Sequence, residues 1–178
     1  MFFLESKELG LRQLTEADVE GNYSNWFNDP VVCKYNSHYK FPKSKEELVD
    51  YIRSFRDDRS LLVMAVIEKN SQNHIGNISL QEIDYLSRQA EIAFLFGETD
   101  YWNKGYATIA ARLMINHAFM ELGLNRIYFG TAANNAAMQK IGEKLGFQRS
   151  GTRREALFKN GKYYDIYDYD LLKQEWKS

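Results

Sequence analysis

The chain has 178 residues, enough for one sizeable hydrophobic core but too few to favour a second domain. Its formal charge of −1, with 26% charged residues, argues against a nucleic-acid-binding surface or a surface for anionic membranes. No apolar run approaches the ~20 residues that span a bilayer. Cys33 is the only cysteine, so an internal disulfide is excluded. We therefore expect residues 1–178 to form a single cytoplasmic domain without nucleic-acid or membrane partners.

The first third of the sequence predicts short strands followed by two helices. Residues 2–6 and 9–14 are expected to form a strand pair or one bent strand. Thr15 begins a predicted helix that runs to about Phe27, before Asp29-Pro30 stops it. Ser44 and Glu47 have the spacing of a capping box, and apolar residues follow at i, i+3, i+4 and i+7. This pattern predicts a second, amphipathic helix.

The middle of the sequence predicts three strands and a long helix. Residues 61–68 form a continuous apolar run, and residues 75–84 and 90–96 complete a set of central strands. Strict alternation along the second of these places Glu82 on the same face as Ile78 and Leu80. The helix begins at Tyr106, has Met120 on its buried side, and ends before a glycine.

The last third predicts a strand, a helix and a hairpin. The strand covers residues 126–131, and the helix covers residues 136–145 with Gly146 just beyond its end. Residues 148–158 and 162–172 flank Asn160-Gly161, a strong signal for a β-hairpin. Together, the elements predict an α/β domain with a mixed sheet flanked by helices. A hairpin at each end argues against a purely parallel, doubly wound fold.

The segment from Glu91 to Thr108 is the most informative part of the chain. It is a buried strand, a polar turn, and a helix start marked by Gly105. Backbone N–H groups and the positive end of the helix dipole meet at such a start, where a phosphate can bind. A single glycine matches neither the usual dinucleotide motif nor the P-loop motif. Glu91 lies in the apolar strand, where burial would raise its pKa toward the range of a general base. The alternatives are that Glu91 pairs with a cation or faces solvent.

Five motifs resemble one protein family, in the family's own order. Trp102-Asn-Lys-Gly-Tyr-Ala107 resembles the Arg/Gln-x-x-Gly-x-Gly/Ala loop of the GNAT N-acetyltransferases. Its form with Thr108 is similar to the branch that contains the ribosomal-protein alanine acetyltransferases of the RimJ/RimL type. The other four motifs are Leu11–Asp18, Trp26–Pro30, Asn134 with Glu143–Phe147, and Asn160–Asp165.

The resemblance implies a GNAT-type three-layer α/β fold with a mixed, mostly antiparallel sheet. In it, the family's fourth and fifth strands, here 90–96 and 126–131, splay apart to admit the pantetheine of acetyl-CoA. It implies an acetyltransferase with Glu91 as general base and no metal. The implied cofactor-binding residues are Leu95, Phe96, Trp102, Asn103, Lys104, Gly105, Tyr106, Ala107, Thr108 and Asn134. The alternative for Asn134 is that it, or Asn135, merely caps the next helix.

The resemblance does not identify the amine acceptor. A protein N-terminus or a small-molecule amine is expected, with a nucleotide-linked amino sugar or a polyamine as the alternative, and a non-catalytic acyl-CoA-binding module as a further one. His38, in an aromatic loop, and Glu82 are candidate acceptor-binding residues, and a homodimer is left open. Asp168 and its alternating neighbours are predicted to face solvent. Gly142 stands where many family members carry a tyrosine as general acid.

Overall fold

The computed structural model describes residues 1–55 and 57–177, which contain one eight-stranded sheet and four α-helices. The strands are β1 (Leu4–Glu5), β2 (Leu9–Gln13), β3 (Leu62–Glu68), β4 (His74–Asp84), β5 (Gln89–Leu95), β6 (Arg126–Ala132), β7 (Gln148–Lys159) and β8 (Lys162–Leu172). The helices are α1 (Tyr23–Trp26), α2 (Lys45–Ser54), α3 (Tyr106–Met120) and α4 (Ala136–Leu145).

The sheet is mixed and mostly antiparallel, with the strand order β1-β2-β3-β4-β5-β6-β8-β7. Its parallel pair is β5 with β6, and this pair has only three registered positions, ending at Glu91 opposite Tyr128. Beyond that point β6 continues beside β8 as far as Ala132, while β5 continues beside β4. The two central strands therefore splay apart, as the family resemblance implied, and the predicted fold class is confirmed.

Helices cover the sheet on both faces. On one face α3 packs Met114, Ile115 and Phe119, all fully buried, against the strands. On the other face the segments around α1 and α2 bury Trp26 and Ile52. This second layer covers the half of the sheet near β3, whereas charged and polar side chains line the same face over β5, β6 and β8. The uncovered half leaves room for a cleft.

Several predicted element ends are confirmed at the residues that set them. Ser44 and Glu47 form the predicted capping box of α2. Gly146 ends α4 with a φ of 89°, in the left-handed region that glycine adopts most easily. Asn160 and Gly161 have φ values of 51° and 74°, as a type I′ hairpin turn requires.

Two predictions about the helices were wrong. The single helix from Thr15 to Phe27 is instead a 3-10 helix (Glu16–Glu20) followed by the short α1, because Gly21 between them is extended (φ −89°, ψ −161°). In α3, Met120 is 62% exposed, so the buried face is rotated relative to the predicted one. The helix is apolar nearly all round, and the sequence therefore defines its outer face poorly.

Candidate active site

The N-terminus of α3 has the geometry of an anion-binding cradle. Gly105 is its N-cap residue, with a φ of 84° and no side-chain cap. Within the described part of the chain, no group accepts a hydrogen bond from the backbone N–H groups of residues 103–108. A Cβ built on Gly105 would meet nothing within 4 Å, so the space over these donors is open. Unpaired helix N–H groups facing open space suit a phosphate.

The loop that leads into this cradle is held by two tryptophans. The ring of Trp26 lies directly against Gly97, where any side chain would clash, and its indole N–H donates to Glu98 Oε1 at 2.9 Å. Trp102 donates its indole N–H to the carbonyl oxygen of Phe96 at 2.9 Å. Trp26 thereby anchors the loop to the layer of α1 and α2, and Trp102 ties the loop to its own start.

The splay between β5 and β6 opens beside this cradle and ends near Asn134. Asn135, not Asn134, caps α4, because its Oδ1 accepts the backbone N–H of Met138 at 3.2 Å. The exposed Asn134 side chain makes no hydrogen bond to the described residues. Of the two residues considered as the cap, Asn135 is the one that serves, and the amide of Asn134 has no partner among the described residues.

A cleft of about 570 Å³ lies on the uncovered face of the sheet, at the end of the parallel pair. Most of its lining residues are charged or aromatic, and they come from β4, β5, β6, β7 and β8. They are Glu82, Glu91, Arg126, Tyr128, Gly130, Ser150, Gly151, Arg153, Asp168 and Tyr169. We name this the Glu91 cleft. It contains two of the carboxylates singled out from the sequence, Glu82 and Glu91.

A β-bulge brings Glu82 to the cleft. The register shifts between Gln81 and Asp84, and Glu82 has a φ of 50°. Strict alternation, which placed Glu82 with Ile78 and Leu80 on the α3 face, was therefore wrong at this end of β4. Glu82 Oε2 instead accepts the hydroxyl of Tyr128 at 3.0 Å.

Glu91 is half-buried, and its surroundings favour proton uptake. Burial raises the pKa of Glu91 above its ordinary value, and the negative charge of Glu82 adds to the effect. The guanidinium of Arg153 and the backbone N–H of Gly130 oppose that rise. A carboxylate with a raised pKa in a water-accessible cleft is suited to accept a proton near neutral pH.

Two arginine–aspartate pairs complete the cleft, and the sequence interpretation missed both. Arg126 Nε and Nη2 lie 3.0 and 2.9 Å from Asp170 Oδ2. Arg153 contacts both carboxylate oxygens of Asp168 at 2.8–3.1 Å. The prediction that Asp168 faces solvent was therefore wrong, since its carboxylate forms a bidentate ion pair with Arg153 in the cleft. The spacing of Asp168 and Asp170 on one strand face was the available signal, but their partners are distant in sequence.

Comparison with known protein families matches residues 8–148 to the acetyltransferase (GNAT) domain. This chain belongs to the GNAT acetyltransferase family. It is an N-acetyltransferase, as the names of its relatives support. It is 38% identical over 102 residues to "Putative ribosomal N-acetyltransferase YdaF" of Bacillus subtilis, an alignment covering 57% of this chain and 55% of that protein. It is 29% identical over 177 residues to "Uncharacterized N-acetyltransferase p20" of Bacillus licheniformis, covering 97% of each.

Among solved structures, the acetyltransferase is similar to the spermidine N-acetyltransferase of Vibrio cholerae in complex with CoA and spermine. The TM-score is 0.86 at 26% identity, and the match covers 96% of this chain and 98% of that one. The family uses acetyl-CoA as its acetyl donor.

The structure does not bring every predicted residue of the acetyltransferase into the cleft. His38 does not line it, and its ring packs edge-on against Phe27 with 5.2 Å between centroids. The Cβ of any residue in place of Gly142 would lie 2.6 Å from Phe129 Cζ, so glycine is needed there for packing. Residues 1–55 and 57–177 contain no cluster of three or more His, Cys, Asp or Glu residues that could hold a metal. None of the helices in those ranges combines the length and apolar character needed to cross a bilayer.

Proposed function

We propose that the protein transfers an acetyl group from acetyl-CoA directly to a primary amine bound in the Glu91 cleft. The observation that carries this proposal is the position of Glu91, which lies where the parallel pair ends and lines the cleft. Only the neutral amine has a lone pair for attack on the thioester, and a primary ammonium has a pKa near ~10.4. Glu91 is the general base that removes the proton.

The acetyl donor binds on the side of the splay that leads to α3. The backbone N–H groups of residues 103–108 hold the pyrophosphate, and their lack of partners among the described residues supports this assignment. Asn134 donates to the pantetheine arm. The backbone of Leu95 and Phe96, where β5 has left β6, contacts the thioester and supplies an N–H for the oxyanion.

Direct transfer is favoured over an acetylated enzyme. Cys33 is fully buried, and its Sγ lies 3.2 Å from the carbonyl oxygen of Trp26. Burial raises the pKa of this thiol and disfavours the nucleophilic thiolate. The amine therefore attacks acetyl-CoA within a ternary complex, and the CoA thiolate leaves.

A protein N-terminus is the first candidate acceptor, supported by the RimJ/RimL-type motifs and the likeness to YdaF. A polyamine is the second, because Glu82 and Glu91 place two carboxylates in a cleft whose arginines are already paired with aspartates. The spermine complex of the Vibrio cholerae relative supports the same candidate. Glu82 would bind the second cationic nitrogen. His38 remains a prediction, because it packs against Phe27 instead of lining the cleft.

The test is the Glu91→Gln variant assayed with alanine- and serine-initiated peptides, spermidine, and a nucleotide-linked amino sugar. With the accepted substrate, kcat/KM should fall by about 10²–10⁴-fold, the usual value of a positioned base, while the Kd for acetyl-CoA stays unchanged. The loss should shrink as pH rises, because more amine arrives neutral. Wild-type turnover by Glu91→Gln at neutral pH would exclude Glu91 as the base. Ping-pong kinetics would exclude direct transfer. Light scattering on the same preparations tests for a homodimer.

A further inference from the structure

Arg153 extends into the Glu91 cleft from β7, the outer strand of the sheet. It is registered with Ile166 of β8, whereas Gly130 of β6 is registered with Asp168. The Arg153 side chain therefore crosses β8 diagonally, and its three hydrogen bonds to Asp168 fix the guanidinium over the cleft. The pair is bidentate, so the position of the charge is defined as well as its sign.

Gly130 provides the space for this guanidinium. A Cβ built on Gly130 would overlap Arg153 Nη2 and would lie 3.1 Å from Asp168 Oδ1. The φ of Gly130 does not lie in the left-handed region, so no backbone requirement calls for glycine here. Instead, the missing side chain allows the Arg153 guanidinium to lie against β6. Gly130 is two residues beyond Tyr128, which is paired with Glu91 at the end of the parallel pair.

We infer that Arg153 is a positioning residue for acetyl transfer: held against Gly130 by Asp168, its guanidinium places a fixed positive charge in the cleft that Glu91 lines. The inference rests on the proposed role of Glu91 as base. A base must be unprotonated before the amine arrives, yet Glu91 is half-buried and next to a second carboxylate. A fixed cation resolves this conflict. The same charge also disfavours the ammonium form of a bound amine, so it helps both partners of the proton transfer.

The other ionisable groups facing Glu91 do not provide this charge. Glu82 of β4 and Asp168 of β8 are negative and raise the pKa of Glu91, as burial does. Burial and Glu82 raise the pKa of Tyr128 of β6 to about 12, so Tyr128 stays neutral near pH 7, whereas the Tyr169 ring lies on the opposite face of the sheet, stacked on Phe129. Arg126 of β6 is paired with Asp170 and bonded to Gln89. Arg153 is the cation whose charge lowers the pKa of Glu91.

The direct test is a pH titration of the Glu91 side-chain carboxyl by ¹³C NMR in the full chain, with the resonance assigned from Glu91→Gln. In Arg153→Gln the pKa of Glu91 should rise, and in Arg153→Lys it should rise less, because a cation remains without the bidentate contact. Arg154→Gln is the matched control: Arg154 is the next residue, is exposed and does not line the cleft. Its removal should leave the titration unchanged.

Kinetics should follow the titration. On the acid side of the profile, Arg153→Gln should lower kcat/KM by about 3–10-fold, a modest factor because the Arg153 side chain is 59% exposed. The loss should vanish at high pH, where Glu91 is ionised in every variant. An unshifted Glu91 titration in Arg153→Gln, or an equal shift in Arg154→Gln, would overturn the inference.

Gly130→Ala is a second variant that should displace the Arg153 guanidinium from the cleft, because the added methyl group would overlap it. The added methyl displaces a flexible side-chain end, so the protein should fold with a melting temperature near that of Arg153→Gln. It should shift the Glu91 titration in the same direction, and the double variant should shift it no further. Additive shifts would contradict the inference. If Glu91→Gln keeps wild-type turnover, the proposed function fails; if Glu91→Gln is inactive while Arg153→Gln titrates normally, only the role of Arg153 fails.

Discussion

Gly105 gives the sharpest test of the cofactor cradle, because strain and obstruction can be separated there. The residue has a φ of 84°, and a Cβ would meet no protein atom within 4 Å. Alanine at this position therefore costs only backbone strain, roughly 1–2 kcal/mol of unfolding free energy. In the complex, however, the methyl group would occupy the space through which the pyrophosphate approaches the amides.

The binding loss follows from the hydrogen bonds that the phosphate would forfeit. A hydrogen bond to a charged group contributes about 1.5–3 kcal/mol, so losing two weakens binding by roughly 3–6 kcal/mol. This corresponds to about a 10²–10⁴-fold rise in the Kd of acetyl-CoA. We expect Gly105→Ala to reach the lower end and the bulkier Gly105→Val to abolish measurable binding in calorimetry. Lys104→Ala should have a modest effect, because the proposed cradle holds the ligand through backbone groups.

Gly123 is the matched control. It has a φ of 67°, nothing lies within 4 Å of a built Cβ, and it follows the opposite end of α3. Gly123→Ala should lose the same stability without changing the Kd. Gly105→Asn isolates obstruction, since asparagine tolerates the left-handed region yet carries a side chain. If Gly105→Val binds acetyl-CoA with wild-type affinity, the cradle lies elsewhere.

The remaining predictions concern two other polar sites. Asn134→Ala should raise the Kd of acetyl-CoA by about 10-fold and leave the stability unchanged. Asn135→Ala should lower the free energy of unfolding by ~1 kcal/mol through loss of the α4 cap and leave the Kd unchanged. Equal effects of the two variants would contradict the assignment. Burial by itself raises the pKa of Asp18. The Arg12 guanidinium and the N–H of Thr15 lower it by more than burial raises it, so the net pKa lies below the ordinary value. The stability that the ionised Asp18 contributes is therefore present above the unfolded-state pKa and is lost as pH falls through the folded-state pKa. Asp18→Asn should lower the free energy of unfolding by about 2 kcal/mol at pH 7 and by little in acid.

The sequence predicted well wherever local chemistry determines structure. The caps at Ser44 and Gly146 and the turn at Asn160-Gly161 depend on a few adjacent residues, and all three are confirmed. The prediction of one continuous helix after Thr15 was wrong because it gave more weight to the helical periodicity than to the break at Gly21. The prediction of the buried face of α3 was wrong because a helix that is apolar nearly all round has no polar stripe that would show which side faces solvent.

The candidate site divides along the same line. Glu91 and the loop around Gly105 lie in one continuous segment, so a local pattern was sufficient to predict roles for both. The pairing of Arg153 with Asp168 depends on strand order and on a diagonal crossing of β8, neither of which the sequence encodes locally. Glu82 reaches the cleft only because a bulge interrupts alternation in β4. A bulge leaves no reliable signature in a single sequence.

The packing around Gly142 explains why this acetyltransferase has no tyrosine at that position to protonate the departing thiolate. Phe129 occupies the space that a side chain at position 142 would need, and it stacks on Tyr169 with 5.0 Å between centroids. The tyrosine that many family members use as general acid therefore has no room here. A thiolate whose conjugate acid has a pKa near ~8.5 leaves without a donor, whereas an alkylammonium with a pKa near ~10.4 cannot attack without losing its proton. In the proposed mechanism the barrier that the protein must lower is therefore the deprotonation of the amine, which we assign to Glu91 with the Arg153 cation in the same cleft.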